Sequence, residues 1–141
     1  MLCNLNYGIV GLGIMGGSFA RAIQENILEV KEATGKIYAC DRNEYSLKEA
    51  LKYSVIDEGF SPENVDEMLK NCDVVIICLY PALIVDFMKE HKTAFKKGAI
   101  VTDISGVKAI YKNHFEEFET DDYDFIVGHP MAGGEKEGFV A

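Results

Sequence analysis

Asp73-Val74-Val75-Ile76-Ile77-Cys78-Leu79 is apolar after its leading aspartate, without a polar break. A strand with one wet face alternates in polarity. An unbroken run needs cover on both faces, which is the pattern of a buried strand in a parallel sheet. Parallel strands in turn need long crossovers, usually helical, and the rest of the chain supplies them. Asn6 to Val10, Lys36 to Cys40, Ala99 to Thr102 and Phe125 to Val127 are further strand candidates, and Val55-Ile56 is a candidate for a very short one. Between them, Phe19, Ala20, Ile23 and Ile27 recur at helical spacing. Asn43 is placed to cap a helix on which Leu47, Ala50 and Leu51 share a face. Ser61-Pro62 predicts a helix start, with Ser as N-cap and Pro at the first position, and an end near Asn71. A helix from Ala82 to Phe95 is expected to close at Gly98, and another to run from Val107 to Phe118. This alternation predicts an α/β fold, a doubly wound and mostly parallel sheet with helices on both faces.

The turn after the first strand narrows that class. Tyr7-Gly8-Ile9-Val10 leads into Gly11-Leu12-Gly13-Ile14-Met15-Gly16. A Gly-x-Gly-x-x-Gly run is weak by itself. Between a strand and a helix, with an acid ending the second strand, it predicts a dinucleotide site of Rossmann type. Gly11 permits the tight turn, Gly13 lets the backbone approach a pyrophosphate, and Gly16 lets the helix pack close to the strand. The amides at that helix N-terminus favour phosphate charge. Asp41 is expected to accept hydrogen bonds from the adenine ribose hydroxyls, which favours NAD over NADP. Arg42 beside it blurs the choice, because a guanidinium there could pair with a 2′-phosphate. Leu79-Tyr80-Pro81, at the end of the buried apolar run, is expected beneath the ribose and nicotinamide.

Composition sets the surroundings. The 141 residues are one domain's worth, with an apolar fraction of 48% and a charged fraction of 26%. A net charge of −9 argues against a nucleic-acid partner, which wants a basic face. Any anion site must therefore be locally positive. No apolar run approaches the roughly 20 residues needed to span a bilayer. The early first strand leaves no room for a signal peptide, so cytoplasm is expected. Cys3, Cys40, Cys72 and Cys78 show no metal-like spacing and are expected to be structural thiols. His91 and His114, among Lys and Glu, are expected to be exposed and idle.

The far end carries the chemistry. Phe125-Ile126-Val127 runs into Gly128-His129-Pro130-Met131-Ala132-Gly133-Gly134-Glu135-Lys136-Glu137-Gly138. This places a titratable imidazole on a sharp turn at a strand's carboxyl end, where open α/β sheets bind ligands. Together with the glycine fingerprint and the Asp103-x-x-Gly106-Val107-Lys108 segment, this run resembles the prephenate/arogenate dehydrogenase family, over essentially the whole chain. The resemblance implies NAD-dependent oxidative decarboxylation of prephenate to 4-hydroxyphenylpyruvate, towards tyrosine. It makes His129 the general base for the ring hydroxyl, a role suited to a neutral imidazole. It implies that Glu135 organises the substrate pocket and that Ser105 and Lys108 lie near the substrate. Many relatives carry a serine where Gly106 stands here, and Ser105 precedes it by one residue.

The resemblance also implies a helical C-terminal domain that dimerises the full-length protein and completes the site for prephenate or arogenate. The chain is expected to stop short of that domain, so residues 1–141 are read as the dinucleotide-binding part. A stand-alone NAD-binding regulatory or redox-sensing module is the alternative. Such a module needs the glycines and Asp41 but has no use for His129. No metal is expected.

Overall fold

The computed structural model describes residues 2–30, 32–104, 111 and 114–127. Six strands form one sheet: β1 Tyr7–Val10, β2 Ile37–Cys40, β3 Glu58–Phe60, β4 Val74–Ile77, β5 Ala99–Asp103 and β6 Tyr123–Ile126. Their order is β3-β2-β1-β4-β5-β6, and every pairing is parallel. This is the doubly wound order of the Rossmann fold. The helices are α1 Ile14–Ile23, α2 Glu44–Lys52, α3 Val65–Leu69, α4 Pro81–His91 and α5 Phe115–Phe118.

Period-two alternation splits each central strand between two cores. Ile9, Ile37, Ala39 and Ile76 face α1 and α2, packing on Ala20, Ile23 and Leu47. Val10, Val75, Ile77 and Val101 face the other layer, packing on Met68, Leu69, Ile84, Met88 and Phe118. Both faces of β4 are thus covered, which is why its sequence never alternates.

Several local features depart from the sequence reading. Val55 and Ile56 are buried but are not a strand; β3 begins two residues later. Ser54 adopts a left-handed φ of 58° that ends α2, and the Val55 N–H reaches back to the Ala50 carbonyl at 2.8 Å. The two apolar residues cover that helix end. Beyond α1, the chain widens into a π turn over Gln24–Leu28. The added residue rotates Leu28 inward, where straight helical spacing predicts Ile27. Ser61 makes no side-chain cap; Pro62–Asn64 forms a tight turn before α3. Helix α4 stops at His91, and Gly98, at φ 87°, shapes the turn into β5 instead of capping the helix. His91 is not idle. Its Nδ1 lies 2.7 Å from Asp66 Oδ1, tying α4 to α3, and its ring packs on Phe87. Of the helix expected over Val107 to Phe118, only the end falls on described residues.

At the amino-terminal edge of the sheet, Asp73 joins three strands. Its Oδ2 accepts the Asn6 N–H at 2.8 Å and its Oδ1 accepts from Lys96 Nζ at 2.5 Å. Its backbone carbonyl accepts the Ile100 N–H at 3.0 Å. Burial alone would raise the Asp73 pKa, but the Asn6 N–H and Lys96 outweigh it and hold the carboxyl below the ordinary range. A carboxylate more acidic folded than unfolded adds stability above its unfolded pKa. That stability is lost as pH falls through the folded value. Asp73→Asn should therefore destabilise the protein by about 1–3 kcal/mol near neutral pH. Urea unfolding should find the two proteins converging in acid, below the folded pKa of Asp73.

No described helix is long and apolar enough to cross a membrane. Cys40, Cys72 and Cys78 sit in the cores or at their edges, and burial pushes their thiols up to about 11, 12 and 12. They remain thiols at neutral pH, and no described cluster of His, Cys, Asp and Glu could hold a metal.

Candidate functional site

Strand order reverses between β1 and β4, and the crevice beyond their carboxyl ends is where such sheets take ligands. The glycine turn occupies the β1 side of that crevice. Gly11 has φ 96°, and a Cβ there would stand 2.6 Å from the Cys78 carbonyl of the neighbouring strand end. A Cβ on Gly16 would stand 1.9 Å from the Gly11 carbonyl, so only glycine lets α1 start this close to β1. Gly13 is the opposite case, since a Cβ there would meet nothing within 4 Å. Its backbone faces open space at the head of α1. Gly11 and Gly16 thus permit the tight turn and the close helix approach, and the cradle open at Gly13 has room for a pyrophosphate.

The remaining predicted cofactor residues lie on the first turn of α1 or just beyond the ends of β2 and β4. Ile14 is 90% exposed on the first turn of α1, and Met15 is half-buried behind it. On the β4 side, Tyr80 is 80% exposed, while Leu79 and Pro81 are half-buried and lead into α4. Leu83, one turn into α4, adds an exposed apolar side chain that sequence reasoning passed over. Arg42 is exposed, and among the described residues no salt bridge holds it. A half-open cavity of about 140 Å³ lies elsewhere, against Tyr38, Glu58 and Met68.

Asp41 does more than the sequence suggested. Its Oδ2 accepts the Leu12 N–H at 2.7 Å and its Oδ1 accepts the Asn43 N–H at 2.8 Å. Asn43 in turn caps α2, its Oδ1 accepting the Tyr45 and Ser46 N–H groups at 3.0 and 3.2 Å. A second acid, Asp103, closes β5 and is the only buried polar or charged side chain among the described residues. Its charge adds to the burial that raises the Cys78 thiol. Ser105, Lys108, His129 and Glu135 lie outside the described residues.

An all-parallel sheet in this order, with this turn at its switch point, defines a nucleotide-binding domain of the Rossmann class. The family model described as prephenate dehydrogenase, nucleotide-binding domain, matches residues 19–141, and the chain belongs to that family. The match starts after the glycine turn, so the turn is not part of it. The chain is similar to the prephenate dehydrogenase of Bacillus subtilis, 26% identical over 133 residues, 94% of this chain and 34% of that protein. It is also similar to the prephenate dehydrogenase of Lactococcus lactis, 30% identical over 135 residues, 94% of this chain and 36% of that one. Among solved structures, the prephenate dehydrogenase of Aquifex aeolicus in complex with hydroxyphenyl propionate and NAD+ superposes with a TM-score of 0.71 at 31% identity. That superposition covers 94% of this chain and 43% of the other. The chain spans about a third of the length of the curated relatives it matches.

Proposed function

We propose that this chain is the cofactor-binding part of an NAD-dependent prephenate dehydrogenase, which oxidatively decarboxylates prephenate to 4-hydroxyphenylpyruvate in tyrosine synthesis. The observation that carries the reading is the open backbone at Gly13 on the head of α1, with Asp41 ending the adjacent strand. Family membership and the NAD+ complex of the Aquifex aeolicus relative support it. Residues 1–141 are then one dinucleotide-binding domain. A helical domain elsewhere in the full-length protein dimerises it and completes the substrate site, and the enzyme works in the cytoplasm. Arogenate, with an amino group in place of the side-chain keto group, is the alternative substrate.

Each residue has a task in this reading. The amides of the turn from Gly11 to Gly16 face the pyrophosphate, where the helix end favours negative charge. Asp41 accepts from the ribose hydroxyls, and Leu79, Tyr80 and Pro81 bound the floor towards the nicotinamide. When bound, the nicotinamide supplies the hydride acceptor. His129 removes the proton of the ring hydroxyl as that carbon becomes a carbonyl. Loss of carbon dioxide then aromatises the ring and makes the reaction one-way. Ser105, Lys108 and Glu135 organise the substrate around His129, with Glu135 paired to a cation and held off the anionic substrate.

Calorimetric titration tests the cofactor half. NAD should bind in the micromolar range and NADP more weakly, because a 2′-phosphate would meet the Asp41 carboxylate. Binding of neither dinucleotide would overturn the proposal.

A further inference from the structure

We propose that Asp41 is a positioning residue: its carboxylate locks the glycine turn to the entrance of α2 before any dinucleotide arrives. Dinucleotide affinity as a whole then rests on it, and not only the choice between ribose and ribose phosphate. This deepens the cofactor reading above and rests on it only where binding is measured.

The turn needs such a lock. Gly11 and Gly13 flank Leu12, and glycines leave a backbone free to take many conformations. Two successive amides tie this turn to the end of β2. The Gly11 N–H donates to the Cys40 carbonyl at 2.8 Å, and the Leu12 N–H donates to Asp41 Oδ2 at 2.7 Å. The other carboxylate oxygen takes the Asn43 N–H at 2.8 Å, and the Asp41 N–H itself donates to the Phe60 carbonyl at 3.2 Å. One residue thus ties the ends of β1, β2 and β3 to the start of α2.

The chemistry separates this role from ribose selection. A carboxylate offers about four lone-pair sites. Two serve Leu12 and Asn43, and two remain for ribose hydroxyls. An asparagine has one accepting oxygen and an NH2 donor on the other branch. It must turn that donor towards either Leu12 N–H or Asn43 N–H, so one tie is lost. A residue that only selected ribose would behave differently. Removing its charge would lift the repulsion of a 2′-phosphate, with the exposed Arg42 at hand, and NADP binding would rise.

Amide hydrogen exchange on the dinucleotide-free protein decides the matter. In the wild type, the Leu12 and Asn43 amides should be protected although both lie in turns. In Asp41→Asn, at least one of them should exchange about tenfold faster or more, with the amides of β1 and β4 unchanged. A loss of global stability would speed all of these together, so the local pattern marks positioning. Affinity for NAD should fall in the variant by about tenfold, while for NADP the loss of the lock is offset by the lifted repulsion of the 2′-phosphate. Unprotected Leu12 and Asn43 amides in the wild type would overturn the proposal even if the variant failed to fold. So would unchanged exchange in Asp41→Asn. If the wild type bound neither dinucleotide, the cofactor reading would fall while the exchange pattern still decided the lock.

Discussion

Gly16→Ala should cost the protein both its dinucleotide site and a large part of its stability. The new methyl would sit 1.9 Å from the Gly11 carbonyl oxygen, 3.0 Å from its carbon and 3.2 Å from Ile9 Cγ2. The first two obstacles are backbone and cannot rotate away. Helix α1 must lift from β1, which opens the contacts of Ala20 and Ile23 with the core. Overpacking against side chains costs about 1–3 kcal/mol, and a clash with backbone belongs at or beyond the top of that range. Gly13→Ala is the control. Gly13 has a φ of −70°, which any residue adopts, and its added methyl meets nothing. That variant should unfold at the wild-type urea concentration yet bind NAD about tenfold more weakly or worse, because the methyl fills the cradle. Equal unfolding midpoints for wild type and Gly16→Ala would show that α1 is not held by this approach.

The contrast between these two glycines also shows what a sequence exposes. The close approaches at Gly11 and Gly16 are backbone properties, so the glycine itself is the signal. The unbroken Val74 to Ile77 run was readable because a strand covered on both faces needs apolar residues throughout. Asp41 was readable as an acid at a strand end, but its bond to Leu12 spans 29 positions and depends on the sheet pairing first. The errors come from tertiary context. Val55 and Ile56 look like a strand because burial, not hydrogen bonding, dictates apolar residues. Glu58–Phe60 pairs along the sheet edge on one side only, with Glu58 exposed and Gly59 and Phe60 half-buried, so it carries little pattern. Gly98 was assigned to the nearest helix, although its left-handed φ serves a turn whose N–H reaches the Asp122 carbonyl at 2.6 Å. The π turn after Ile23 had no signal, because periodicity arguments assume 3.6 residues per turn throughout.

His129→Asn in the full-length enzyme should leave dinucleotide affinity unchanged and lower turnover of prephenate by about a hundred- to ten-thousandfold. The glycine turn, Asp41 and the β4 end make the proposed cofactor contacts, and none of them involves His129. The oxidation step needs a group that takes the ring hydroxyl's proton as the carbonyl forms. An asparagine of similar size keeps a hydrogen-bonding tip but cannot hold that proton. The pH profile separates this role from a packing role. An imidazole acts as a base only when neutral, so wild-type turnover should fall as the pH drops and the ring takes up a proton. The residual rate of the variant should lack that acid limb. A histidine that merely stiffened its turn would, when replaced, lower the rate at every pH and keep the limb, because the true base would still be titrating. Steady-state rates of both proteins across the acid range, at saturating NAD, distinguish the two outcomes.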